Sequence, residues 1–207
     1  MSSTDLLFFP KDGVKLSVFH DFIESCGGKS VLLDHTTTDV CNKFLKLQTI
    51  ENKLSYCDCL KKKNDFLSYK DVGTADVFIS HAWKFNFLDV IATLDYFFQN
   101  EPNIIIWFDL FSNNQHDTGV KPFEWWQKTF RSAISQFGRV VMVLSPWGNP
   151  IPLTRAWCLF ELFCSADTKS RFEIAMTPTE TENFLRDMSR NPTLFIDMVS
   201  EKCTMYS

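Results

Sequence analysis

Glu161 is the residue whose type and surroundings most clearly suggest chemistry in this chain. It lies in the string LTRAWCLFELFC (153–164), four positions after Trp157. On one helix that spacing sets a carboxylate beside a large aromatic face. Leu159, Phe160, Leu162, Phe163 and Cys164 around it are apolar, which predicts a largely buried helix. A buried glutamate is costly unless it is paired or put to use. A glutamate that only tethers a loop would fit the same string, because structural ion pairs also perturb carboxylates. What separates the two readings is where the helix sits relative to the other polar residues.

From Ala75 onward short apolar runs alternate with helical patterns. Strands are expected at 76–80, 104–108, 140–144 and 172–176, and helices at 85–99, 122–137 and 153–166. Pro122 suits a first helical turn, and Gly138 a stop. Strands that are apolar throughout, alternating with helices, predict an α/β fold: a parallel sheet covered by helices on both faces. Ligands bind such sheets beyond the carboxyl ends of the strands. The residues there are Ser80, His81 and Trp83, then Asp109 with a long polar loop, then Ser145 and Trp147. The helix of Trp157 and Glu161 begins just after the third strand end. Sequence order alone therefore brings a carboxylate, a histidine and two or three tryptophans to one rim.

Residues 1–74 read as helical and irregular. Helices are expected at 15–26, ended by Gly27 and Gly28, from Thr37 to about 47, and at 52–60. They are too few to bury a core of their own. The expected organisation is an N-terminal helical extension, 1–74, packed on a domain spanning 75–207. The segment 183–207 is ambiguous between helix and strand.

Composition narrows the function. A net charge of -4 argues against a nucleic-acid platform. No stretch reaches membrane-spanning length, and the N-terminus lacks the basic start and apolar run of a signal peptide. Seven cysteines, with no Cys-x-x-Cys pair and no histidine spaced to complete a zinc set, point to a reduced, cytoplasmic protein without a metal centre. The 21 Phe and 6 Trp indicate a large aromatic core or aromatic faces left for partners. No Gly-x-Gly-x-x-Gly or phosphate-loop lysine follows the first strand. Ser80 or Ser145 with His81 lacks the Gly-x-Ser-x-Gly turn of a serine triad. What remains is a lone carboxylate with aromatic walls. Such a site suits a cationic, oxocarbenium-like sugar centre beside a planar leaving group, the problem posed by N-glycosidic cleavage.

DVFISHAW (76–83) resembles the opening strand of Toll/interleukin-1 receptor (TIR) domains. RVVMVLSPW (139–147) followed by TRAWCLFELF (154–163) is similar to their third strand and the helix after it. The resemblance covers about residues 75–178 and implies a flavodoxin-like sheet. It also implies NAD+ nucleosidase activity, with NAD+ as substrate, no cofactor, and nicotinamide and ADP-ribose or cyclic ADP-ribose as products. The family's catalytic glutamate matches Glu161 and its active-site tryptophan matches Trp157. Ser80, His81, Trp83, Asp109 and Phe123 are the accompanying candidates for substrate contact. FDLFSNNQHDTGVKPF (108–123) resembles the family's self-association loop, with Gly119 at its usual glycine and Phe111 its only internal aromatic. That implies a homo-oligomer, activation by self-association and a place in innate immune signalling. Some animal TIR enzymes carry Tyr-Arg-Arg where this chain has His81, Ala82 and Trp83. The alternative within the resemblance is a non-catalytic signalling adaptor acting through homotypic contacts.

Overall fold

A computed structural model describes residues 9–63, 70–117, 122–194 and 196–198. Six strands form one sheet: β1 (Asp12–Val14), β2 (Val72–Thr74), β3 (Val77–Ser80), β4 (Ile106–Trp107), β5 (Arg139–Val143) and β6 (Arg171–Ala175), in the order β2-β1-β4-β3-β5-β6. The four strands from β3 to β6 are parallel, while β1 runs antiparallel to both β2 and β4. Taken alone, the parallel strands have the order second-first-third-fourth, compatible with a flavodoxin-like sheet.

The elements follow from the sequence patterns. Phe123–Phe137 forms a helix that ends at Gly138 in the left-handed conformation (φ 65°), a backbone state that glycine adopts without strain. Leu153, expected to open the Glu161 helix, lies instead in a 3-10 turn (Ile151–Thr154), and the α-helix runs Ala156–Asp167. The ambiguous C-terminal stretch contains a helix, Pro178–Arg190, capped by the Thr177 side chain. Among the described residues no helix is long and apolar enough to cross a membrane.

Alternation along β3 divides the interior. Val77 and Ile79 face one side, and Phe78 and Ser80 the other. Val77 and Ile79 join the large core that also holds Val14, Phe19, Phe22, Ile23 and Val40 from the N-terminal region. Phe78 stacks on Trp107 at 4.7 Å between ring centres and meets Phe130 edge-on at 5.8 Å. Ser80 thus points to the face carrying the Phe123–Phe137 and Ala156–Asp167 helices.

The N-terminal region differs from the helical extension expected. Helices Leu16–Ser25 and Tyr56–Lys62 are present, but so are β1 and β2, which widen the sheet beyond β4. Phe19, Phe22 and Tyr56 pack on Phe111 at ring-centre distances of 4.9, 5.0 and 4.8 Å. Trp107 donates its indole N–H to the Pro10 carbonyl at 2.6 Å. At Gly13 a Cβ would lie 2.3 Å from the Ile106 carbonyl oxygen, so only glycine admits this approach of β1 to β4. The region shares one core with the parallel sheet.

Candidate functional site

The chain leaves β3 to form β4 on one side and then crosses to form β5 on the other. The carboxyl ends of β3 and β5 therefore flank the point where strand order reverses, the usual crevice for a ligand. Ser80 ends β3, opposite Met142 of β5. Its hydroxyl donates to Glu161 Oε2 at 2.5 Å, and both residues are buried. Glu161 reaches this point because the apolar faces of its helix pack on the sheet, through Cys164 on one side and Cys158 on the other.

Burial pushes the Glu161 carboxyl up to about 8, against the opposing pull of the Ser80 hydrogen bond; the nearby Asp109 carboxylate raises it further and Arg155 lowers it. Asp109 is likewise raised, to about 6, chiefly by burial. Trp83 donates its indole N–H to Asp109 Oδ2 at 2.6 Å. His81 stacks on Phe108 with ring centres 4.4 Å apart, and burial drives its pKa down to about 3, so the ring is neutral near pH 7. His81 Nδ1 lies 3.9 Å from Asp109 Oδ1, beyond hydrogen-bond range. His81 Nε2 and Asp109 Oδ1 are buried without a hydrogen-bond partner among the described residues. Orphaned polar atoms are costly in a folded protein, and here they line the same space.

That space is a cleft of about 330 Å³. Glu161, His81, Cys158, Cys41, Asn113 and Gln115 are buried in it, Trp83, Trp126, Phe130 and Trp157 supply aromatic walls, and Arg155 and Lys46 are its two cations. Trp157 is held edge-on to Phe130 at 5.5 Å. Among the described residues no three His, Cys, Asp or Glu side chains lie close enough to share a metal ion.

The expected residues divide. Glu161, Trp157, His81, Trp83 and Asp109 line the cleft, and Ser80 lies beneath Glu161. Phe123 stands outside the lining, 58% exposed, with its ring 5.1 Å from Trp157. Phe111, expected on a self-association loop, is fully buried in a short helix, Asp109–Ser112, and offers no surface to a second copy. Gly119 lies outside the described residues. Arg155, Trp126 and Phe130 went unnoticed in the sequence, although Arg155 stands two positions before Trp157. Cys41, Asn42 and Lys46 carried no local signal at all: tertiary pairing brings them to the cleft.

Backbone bonds make that pairing. Thr37 N–H donates to Phe85 O at 3.0 Å, Thr38 N–H to Trp83 O at 3.1 Å, and Phe87 N–H to His35 O at 2.9 Å. The segment after β3 is thereby stitched to the N-terminal region. No family model matches this chain, and no curated protein and no solved structure matches it.

Proposed function

We propose that this cleft cleaves the bond between nicotinamide and ribose in NAD+, releasing nicotinamide and ADP-ribose or its cyclic form. The observation that carries the reading is the buried Glu161 carboxyl, hydrogen-bonded by Ser80 on the floor of an aromatic cleft at the sheet's switch point. In the empty cleft burial favours the protonated acid. A cationic nicotinamide ring entering beside it favours the ionised form, since an opposite charge lowers a carboxyl pKa. As the C1′–N bond breaks, its electron pair moves onto nicotinamide, which leaves neutral, and positive charge develops on the ribose. The Glu161 carboxylate stabilises that charge, a contribution often worth a few kcal/mol. Ser80 fixes the carboxylate's orientation, and Trp157 walls the nicotinamide side. Water then adds to C1′ and loses a proton, or a hydroxyl or ring nitrogen of the substrate closes the cyclic product.

The charge layout supports the same reading. Carboxyl groups lie in the interior, whereas the half-buried Lys46 and Arg155 stand nearer solvent. NAD+ has the complementary polarity, with a cationic ring at one end and anionic phosphates further along. The likeness of residues 76–83, 139–147 and 154–163 to NAD+-hydrolysing TIR domains points the same way. We extend it to activation by self-association through the loop containing Gly119.

The test is incubation of the concentrated full chain with NAD+ and chromatography of the products. The expected result is nicotinamide and an ADP-ribose product in equal amounts, with specific activity rising with protein concentration as assembly by mass action requires. No nicotinamide across a hundredfold range of protein concentration overturns the activity. Release at constant specific activity overturns self-association alone.

A further inference from the structure

One wall of the cleft comes from outside the parallel sheet. Cys41, Asn42 and Lys46 lie on a helical stretch that is α from Thr37–Val40, π from Cys41–Leu45 and α again from Lys46–Gln48. A π turn holds one extra residue and is uncommon, and such turns recur at functional sites. This one is fixed in place. Thr36 closes a capping box with Asp39 at the head of the stretch, and a β-bridge joins Thr36 to Asn86. The π turn carries Cys41 and Asn42 against the cleft, and Lys46 follows one turn later.

Lys46 donates to Asn42 Oδ1 at 3.2 Å and, among the described residues, forms no ion pair. Nearby lysines behave differently: Lys15 holds Asp71, Lys43 holds Asp39 and Lys61 holds Asp12. Lys46 is therefore a half-buried cation that faces the cleft and is oriented by a neutral amide, with its charge left for a ligand. Phosphate oxygens form the strong, charge-assisted bonds that an ammonium group makes best.

We propose that Lys46, held by Asn42 on the π turn, binds the phosphate groups of the substrate, so that the N-terminal region selects a nucleotide over its nucleoside. The proposal rests on the N-glycosidic reading of the same cleft. It assigns Lys46 to binding and leaves bond cleavage to Glu161. Its effect falls on KM more than on kcat, because phosphate is held equally in ground and transition states.

Two measurements on the full chain test it, using wild type, Lys46→Gln and Lys46→Arg, each checked for an unchanged melting curve. The first is the dissociation constant of ADP-ribose, read from tryptophan fluorescence, which needs no turnover. The second is the pair KM and kcat for NAD+ and for nicotinamide riboside. In Lys46→Gln the ADP-ribose constant and the KM for NAD+ should each rise about tenfold, corresponding to roughly 1.4 kcal/mol. Turnover should stay within about twofold, the KM for the riboside should not move, and Lys46→Arg should recover most of the loss. Equal weakening of nucleotide and riboside, an unchanged ADP-ribose constant in Lys46→Gln, or no ADP-ribose binding by wild type each overturns the proposal. If wild type binds ADP-ribose through Lys46 but cleaves no NAD+, the phosphate site stands and the cleavage reading falls. If NAD+ is cleaved and Lys46→Gln changes neither constant, the reverse holds.

Discussion

Two cavities of nearly equal size lie side by side in this protein, and they hold their carboxyl groups differently. The Glu161 cleft, about 330 Å³, and a second groove of about 340 Å³ share Asn113 and Trp126 as a common wall. In the second groove each carboxylate, Asp12, Asp58 and Asp117, has a side-chain donor. Lys61 pairs with Asp12 at 2.5 Å, Ser55 donates to Asp58 at 2.6 Å, and Asn114 donates to Asp117 at 2.8 Å. In the first, Glu161 has a single hydroxyl donor, Asp109 Oδ1 and His81 Nε2 have none, and burial raises both carboxyl pKa values. Cavity size does not separate the two. What does is that burial disfavours ionisation of the carboxyls in the first, a balance that a cationic ligand would reverse.

The comparison can be broken by mutation. Trp157→Ala should lower kcat/KM for NAD+ about tenfold, a loss of roughly 1.4 kcal/mol of transition-state binding. It also removes ring contacts with Phe130 and Phe123, so a urea titration should accompany the kinetics. Unchanged turnover would take Trp157 out of the site.

The electrostatic cost should be visible without any substrate. Glu161 titrates higher in the folded chain than in the unfolded one, so its contribution to stability is complete below about pH 4.5 and is lost as pH rises through about 8. Asp109 acts in the same sense but is spent by about pH 6 to 7, and His81, depressed to about 3, acts only below its ordinary range near 6.5. Between pH 6.5 and 8.5 Glu161 therefore dominates among these three. The melting temperature should fall across that window by roughly 3 °C or more, and Glu161→Gln should flatten the slope. Parallel slopes in wild type and variant would show that Glu161 is not held at a raised pKa.

The second groove provides the smallest effect. Asp58→Asn should leave NAD+ turnover within about twofold and cost roughly 0.5 kcal/mol of stability, through the weakened start of the Tyr56–Lys62 helix. A tenfold fall in activity would mean that the two cavities act as one site.

The legible part of the molecule was the part with local signals. Apolar runs marked β3, β5 and β6, and the polar residues just beyond the strand ends gave Ser80, His81, Trp83 and Asp109. Helical spacing gave Trp157 and Glu161. Strands β1 and β2, Asp-Gly-Val and Val-Gly-Thr, are too short to show any period. Asn42 and Lys46 resembled solvated helix residues until backbone bonds from residues 35–38 to residues 83–87 placed them at the cleft. Phe111 misled because the residues after it, Ser112 to Asp117, are polar. Burial on a four-residue helix follows from its aromatic partners Phe19, Phe22 and Tyr56, all distant in sequence.

The central claim is that the Glu161 carboxylate drives nicotinamide release, and one paired assay addresses it. Wild type and Glu161→Gln, at equal concentration and with both confirmed folded, are incubated with NAD+ at pH 8 and the nicotinamide formed is measured. The substitution keeps the side chain's size and removes its charge. The account predicts a loss of at least about 100-fold in turnover. Activity of Glu161→Gln within about threefold of wild type, a difference well under 1 kcal/mol, would contradict it.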